Sequence, residues 1–335
     1  MTLFNKEQLN KWGIVDYGYT TKHIPISLNN YNNWLNENWH LPLNYLAGNR
    51  AELRQDLKNF WPLYKSALVF LFSYHQTHCD LNAIYNDEEN WNGLKLASFT
   101  LGFEGEDYHH IIKRHLIEIG NSIQKTYPHI EYKLTLDTHP VLERDLAFQA
   151  GLGWFGKNSM LINKKHGSFF LIGSLLLNNE LPLEYPKLDV DHCGQCTRCI
   201  DACPTSAIDV QTRTIIARDC ISTFTIEEFK LETIPSEKMN LDSGFIFGCD
   251  ICQDVCPWNQ RIDRQADDAP KKNQSNEQKK IVNFFLLQKV EVLLSALESM
   301  STGEFKRLFQ KTSFARSGKR GLLKNIRFHY KNVTR

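Results

Sequence analysis

Eight of the nine cysteines fall between Cys193 and Cys256, and their spacing is the chemically loudest feature of the chain. Cys193, Cys196, Cys199 and Cys203 read C-x2-C-x2-C-x3-C, followed at once by Pro204. Cys249, Cys252 and Cys256 read C-x2-C-x3-C, followed by Pro257, and Cys220 stands alone between the runs. Eight thiolates suffice for two 4Fe-4S cubanes. In the two-cluster bacterial pattern the fourth cysteine of a run ligates the other cluster. That rule assigns Cys193, Cys196, Cys199 and Cys256 to one cluster and Cys203, Cys220, Cys249 and Cys252 to the other. Cys220 takes the place of the first cysteine of a regular second run, so the chain between it and Cys249 must fold back. A zinc ribbon would need two C-x2-C pairs and no C-x3-C-P endings. A disulfide framework belongs to short chains in oxidising compartments. Cys79, beside His75 and His78, reads as a buried small apolar residue.

The elements that must position these ligands follow from the apolar patterning. The chain has 335 residues, 42% of them apolar, with a net charge of +1. This is enough for two domains with sizeable cores and announces no global polyanion partner. Residues 1–185 read as an α/β domain, 186–262 as the cluster module, and 263–335 as a polar loop and a helical basic segment. Strands are expected at Ser66–Tyr74, Tyr132–Leu136, Ser159–Asn163 and Ser168–Leu177, the last two joined by a hairpin through Lys164–Gly167. Asp107–Lys125 and Leu142–Ala150 carry helical spacing, and Gly151–Asn158 is a glycine-punctuated turn. Arg264–Lys280 reads as a solvated loop, Ile281–Met300 as an amphipathic helix and Glu304–Gln310 as a short one. Neither G-x-G-x-x-G after a strand nor G-x4-G-K-[ST] occurs, so no nucleotide loop is indicated. Lys306–Arg335 contains Lys and Arg but no Asp or Glu, which suits either a solvated face or a phosphate-binding surface. An N-terminal apolar signal, a twin-Arg signal and a membrane-length apolar run are not found. With thiolate ligands kept reduced, the expectation is a cytoplasmic protein that does not associate with membranes.

Several strings occur in one order: Asp107-Tyr-His109, Asp137-Thr-His-Pro-Val-Leu-Glu-Arg, Gly151-Leu-Gly-Trp-Phe-Gly-Lys-Asn, the first cysteine run, Cys220-Ile-Ser-Thr-Phe-Thr-Ile-Glu, and Cys249-Asp-Ile-Cys-Gln-Asp-Val-Cys-Pro-Trp-Asn. Together they resemble the epoxyqueuosine reductases of the tRNA queuosine pathway, from about Tyr45 to about Asn325. The resemblance implies an α/β (α+β) N-terminal cobalamin-binding domain, reductive-dehalogenase-like, followed by a ferredoxin-type two-cluster module and a short helical C-terminus. Longer members add a HEAT-like helical region beyond the point where this sequence ends. It also implies removal of the epoxide oxygen of epoxyqueuosine at the wobble position of the tRNA anticodon, with cobalamin bound base-off.

The residue roles that the resemblance implies can be set against the residues themselves. Asp137 matches the family's proton donor. A carboxyl in water is a poor acid at neutral pH, with a pKa of about 3.9, so a catalytic Asp137 should be desolvated. Without the resemblance Asp137 would read as a strand-end residue capping the next helix. Arg54, Thr100, Ser222, Cys249 and Asp250 match positions at the corrin, and Lys157 and Asn158, which follow the glycine turn, are candidates for contact with cofactor or tRNA. His139 stands where relatives usually carry a small residue, able to crowd the pocket or tune Asp137. Lys230 replaces a family His-Lys pair as a tRNA contact. Lys306, Arg307, Lys311, Arg316, Lys319, Arg320 and Lys324 are expected to neutralise anticodon-stem phosphates, with a flipped base giving specificity. The partners implied are a tRNA anticodon stem-loop and an unidentified electron donor, and the chain is expected to be a monomer. Two other readings are a reductive-dehalogenase-like enzyme for a small organohalide and a non-catalytic two-cluster electron carrier. The basic end argues against the first, and the long N-terminal stretch against the second.

Overall fold

The computed structural model describes residues 3–230, 232–239, 242–266 and 274–333. It divides into two compact units that interleave along the chain. The first comprises Met1–Ser73, His109–Thr197 and Val210–Thr214; the second comprises Tyr74–Tyr108, Arg198–Asp209 and Ile215–Arg335. The consecutive boundaries expected at 185/186 and 262/263 are therefore not where the contacts part.

The first unit is built on a four-stranded antiparallel sheet ordered Ile14–Thr20, Ser66–Ser73, Phe170–Leu177, Tyr132–Thr135. Ser66–Ser73 is the hub, pairing Tyr17 with Phe70 on one side and Ser66 with Leu177 on the other. Its apolar run is unbroken because both faces of the sheet are covered. Ala67, Val69 and Leu71 pack with Leu146, Ala147 and Leu152 on one face. On the other, the helix Tyr108–Thr126 buries Ile112, Leu116, Ile119 and Ile123. Gly173 lets that helix approach: a Cβ there would lie 3.0 Å from Ile112 and 2.9 Å from Phe72.

The expected hairpin through Lys164–Gly167 is reduced to a single bridge between Asn163 and Gly167. Leu161–Ile162 instead pairs back with Trp154–Phe155, inside the stretch expected to be only a turn. Gly153 makes this possible. Its φ is +147°, and a Cβ would sit 2.2 Å from the Ile162 carbonyl oxygen. The strand Ile14–Thr20 was not expected, because Asp16, Tyr17 and Gly18 break its apolar pattern.

The second unit packs a single core from distant stretches: Leu81, Leu94, Leu96 and Phe247 meet Phe285, Leu293, Phe309, Phe314, Leu322 and Ile326. The C-terminal helices thus share a core with residues far upstream. Arg264 is the last turn of the helix Pro257–Ala266, and Asn276–Phe285 is a second helix, so little of the expected 264–280 loop remains; residues 267–273 lie outside the described residues. The expected helix over 281–300 is broken between Phe285 and Val290. There Asn92 Nδ2 donates to the carbonyls of Phe285 (2.9 Å) and Gln288 (2.7 Å), satisfying helix-end acceptors from outside.

Candidate active site and cluster ligands

In the first unit, Asp137 follows the edge strand Tyr132–Thr135 on a turn held by His139. The Leu136 amide donates to His139 Nδ1 (3.1 Å), and the His139 amide donates to the Leu136 carbonyl (2.9 Å). Burial holds the His139 imidazole below its usual pKa, which suits a neutral ring accepting that amide at Nδ1. His139 therefore buttresses the turn. Asp137 is not desolvated as expected: its side chain is 45% exposed, because the turn projects from the sheet edge. Its Oδ1 lies 2.9 Å from Nε2 of His109, in the first turn of the Tyr108–Thr126 helix.

Arg54 is buried at 4% exposure rather than standing on a helix surface, and one of its NH groups donates to the Arg50 carbonyl at 3.2 Å. Arg50 donates through its NH2 to the Thr138 carbonyl at 2.6 Å, while its buried Nε has no hydrogen-bond partner among the described residues. Glu143 lies near enough to Asp137, Arg144 and Arg54 to feel their charges; burial pushes its carboxyl up, with Arg144 the main opposing influence. Sequence reasoning did not single out Arg50 or Glu143 and read His109 only as part of a helix start. Glu143 lies in the string that opens at Asp137, whereas the pairing of His109 with Asp137 is a tertiary contact that carries no local signal.

Also in the first unit, Lys157 donates from Nζ to the carbonyls of Gly194 (2.7 Å) and Cys196 (3.0 Å), bracing the start of the first cysteine run. Asn158 is buried at 1%, its Oδ1 accepting from the Met160 amide. These are roles within the fold, where contacts to a cofactor or tRNA were expected.

In the second unit, Cys199, Cys203, Cys220, Cys249 and Cys252 form a crowded thiol group. Burial pushes Cys249 and Cys252 well above the usual thiol range, with neighbouring cysteines adding to the rise. Cys220 is also raised, first by burial, against amide hydrogen bonds from Thr223 and Ser222 that pull the other way. Cys220 feels Cys203, Cys249 feels Cys220, and Cys252 feels Cys249, Cys220 and Cys199. None of the nine cysteines is in a disulfide. Thiols raised in this way, as Cys220, Cys249 and Cys252 are, resist ionisation unless a cation joins them, so the donor set fits iron.

Asp250 is 4% exposed, and its Oδ2 accepts from the Ser98 amide (2.6 Å) and hydroxyl (2.7 Å). Burial raises its carboxyl, with the Ser98 bonds opposing. Thr100 is fully buried, its hydroxyl donating to the Ala97 carbonyl at 2.7 Å. Both side chains are thus engaged inside their own unit. Ser222 is half-buried in the helix Ile221–Ile226.

The basic residues differ in burial and pairing. Lys230, Lys306, Arg307 and Lys311 are exposed. Arg316 and Arg320 are exposed and pair with Glu227 (2.6 Å) and Glu232 (2.8 Å), while Lys319 Nζ donates to the Glu298 and Met300 carbonyls. Lys324 is a correction to the expected phosphate contacts. It is 1% exposed, and its ammonium donates to the carbonyls of Phe224 and Glu228, both at 2.6 Å. Those carbonyls belong to or follow the last turn of the helix Ile221–Ile226, and Lys324 caps that end. Among the described residues no helix is long and apolar enough to cross a membrane.

Two family models match. One, "Epoxyqueuosine reductase QueG, DUF1730", covers residues 54–138; the other, "4Fe-4S double cluster binding domain", covers residues 192–259. An epoxyqueuosine reductase of Cyclobacterium marinum is 37% identical over 297 residues, spanning 88% of this chain and 86% of that protein. The structure of epoxyqueuosine reductase from Streptococcus thermophilus superposes with a TM-score of 0.77 at 23% identity, over 98% of this chain and 80% of that one. A second, described as epoxyqueuosine reductase with a tRNA-Tyr epoxyqueuosine-modified tRNA stem loop, gives 0.72 at 24% identity over 98% and 81%. The fold is shared with these structures, and residues 192–259 form a 4Fe-4S double cluster domain. The cysteine runs, the Asp137 turn and the extent of the sequence relationship place this chain in the epoxyqueuosine reductase family.

Proposed function

We propose that this protein reduces epoxyqueuosine to queuosine at the wobble position of tRNA, using cobalamin and two 4Fe-4S clusters. The reaction takes two electrons and two protons; the epoxide oxygen leaves as water and a carbon–carbon double bond remains. The strongest support is that the family relationship runs through both the cysteine runs and the Asp137 turn, whose carboxyl is paired with His109 at 2.9 Å.

Cys193, Cys196, Cys199 and Cys256 hold one cluster and Cys203, Cys220, Cys249 and Cys252 the other, passing electrons singly. Cobalamin, held base-off, supplies the low-valent metal for carbon–oxygen cleavage. The buried Arg54 and the unpartnered Nε of Arg50 fit the amide-rich rim of a corrin, which offers carbonyl acceptors. Asp137 delivers a proton to the oxygen released from the ring, and His109 holds the carboxyl in place and returns a proton to it. An exposed carboxyl becomes an effective acid once substrate covers it, because desolvation favours its neutral form. The exposed Lys230, Lys306, Arg307 and Lys311, with Arg316 and Arg320 after exchange of their surface partners, neutralise stem phosphates. Exposed ion pairs cost little to exchange. We further infer a cytoplasmic monomer that takes its electrons from a separate donor.

Asp137→Asn tests the acid. Turnover on an epoxyqueuosine-modified stem loop is expected to fall about 100-fold or more, with iron and corrinoid content unchanged. Full turnover by the variant would remove Asp137 from the chemistry. Failure of the cluster-loaded protein to retain any corrinoid would remove the cobalamin reading.

A further inference from the structure

The helix His75–Tyr85 opens in the second unit with His75, and Cys79 follows one turn later on the same face, as i,i+4 spacing requires. Asp263, from the helix Pro257–Ala266 of the same unit, reaches this face. Its Oδ1 lies 2.6 Å from His75 Nε2, and Cys79 Sγ lies 4.0 Å from either ring nitrogen of His75. One imidazole nitrogen, one thiol sulfur and one carboxylate oxygen therefore lie within 4.8 Å of one another. The His75 side chain is 13% exposed and that of Asp263 29%, so the group is shielded yet open to an ion from solvent. A second imidazole stands beside it: His78 Nε2 is 3.7 Å from Oδ2 of Asp263. None of these residues belongs to the cysteine runs, and Cys79 is the one cysteine that the two clusters do not use.

We propose that His75, Cys79 and Asp263 form a further metal site, taking a single divalent zinc ion with water or His78 in the fourth position. The donor set is what zinc prefers, with Zn–S about 2.3 Å and Zn–N and Zn–O about 2.0–2.2 Å. Tetrahedral coordination at those lengths sets sulfur roughly 3.6 Å from nitrogen and nitrogen roughly 3.4 Å from oxygen. The observed 4.0 and 2.6 Å thus need shifts of less than about 1 Å, within reach of side-chain rotation. A hard cation such as magnesium is disfavoured by the sulfur and the imidazole. The thiol proton and the proton that His75 shares with Asp263 are both lost on binding, so loading changes no oxidation state and is favoured by rising pH. The ion would tie the helix that follows Cys256 directly to the helix that starts at His75. The site does not depend on the substrate or on cobalamin.

The test uses the full chain, cluster-loaded and anaerobic, exposed to zinc and passed through metal-free buffer. About one zinc per chain is expected beside about eight iron. Zinc-edge absorption should show one sulfur with nitrogen and oxygen neighbours. Cys79→Ser and Asp263→Asn keep the local volume and should each weaken zinc retention at least tenfold without changing iron; His75→Ala should abolish it. If His75→Ala also loses iron, the two volume-conserving variants decide. No zinc above background, a four-sulfur shell showing zinc lodged in the cysteine runs, or zinc retained by both conservative variants would each overturn the proposal.

Discussion

Lys324 separates fold from function within the basic end. Replacing it with Met keeps the length and the contact with Phe224, whose ring centre lies 3.5 Å from Nζ, and deletes the ammonium. Two carbonyls, of Phe224 and Glu228, then lose their donor. Each unsatisfied buried acceptor costs about 1–3 kcal/mol. Against this, burial pushes the Lys324 ammonium down to about 8, with Glu228 opposing. The fall from 10.5 corresponds to roughly 3 kcal/mol of penalty for keeping the charge inside at neutral pH. Met escapes that penalty. The balance is a net loss of about 1 kcal/mol at pH 7, or about 2–4 °C in apparent Tm.

The pH dependence has a definite sign. The folded-state value lies below the unfolded one, so between pH 8 and 10.5 the unfolded chain binds more protons, and wild-type stability relative to the variant rises with pH. From pH 7 to pH 10 the gap should widen by about 2.5 kcal/mol. Thermal melts of anaerobic, cluster-loaded wild type and Lys324→Met at both pH values measure it, and stem-loop affinity should stay within about twofold. A variant as stable as wild type, a gap that narrows with pH, or a tenfold loss of RNA binding with stability intact would refute the capping role.

Cys220→Ala should lower iron from about eight to about four per chain, read by metal analysis, because the lone cysteine completes one four-thiolate set. The double variant Lys306→Ala, Arg307→Ala should weaken stem-loop binding and flatten its logarithmic salt dependence by roughly 1.4–1.8, as expected for two phosphate contacts, with melting unchanged. Gly153→Ala places a Cβ 2.2 Å from the Ile162 carbonyl oxygen at a φ of +147°. It should cost about 3 kcal/mol or more, lowering apparent Tm, since backbone on both sides must move.

What could be read from the residues alone depended on whether the deciding contact was local. Ser66–Ser73 was legible because a strand covered on both faces carries an unbroken apolar run, here Ala67–Phe72. Ile14–Thr20 was not, because an edge strand presents Asp16 and Tyr17 at half-buried positions. The break between Phe285 and Val290 depends on Asn92, nearly two hundred residues away, and helical periodicity registers no such partner. The cysteine spacing was legible because cluster geometry constrains sequence distance directly.

The polar residues show the same division more sharply, because a side chain's name fixes its charge but not its surroundings. Lys324 and Lys306 are indistinguishable as letters in a basic stretch. One is buried against Phe224 and caps a helix from elsewhere in the unit; the other faces solvent. Asp137 was expected to be desolvated because the chemistry asks for an acid, yet its own unit leaves it on an exposed turn beside His109. If Asp137 is the acid, the desolvation that makes it one must arrive with the bound reactants. Proton delivery would then be switched on by substrate.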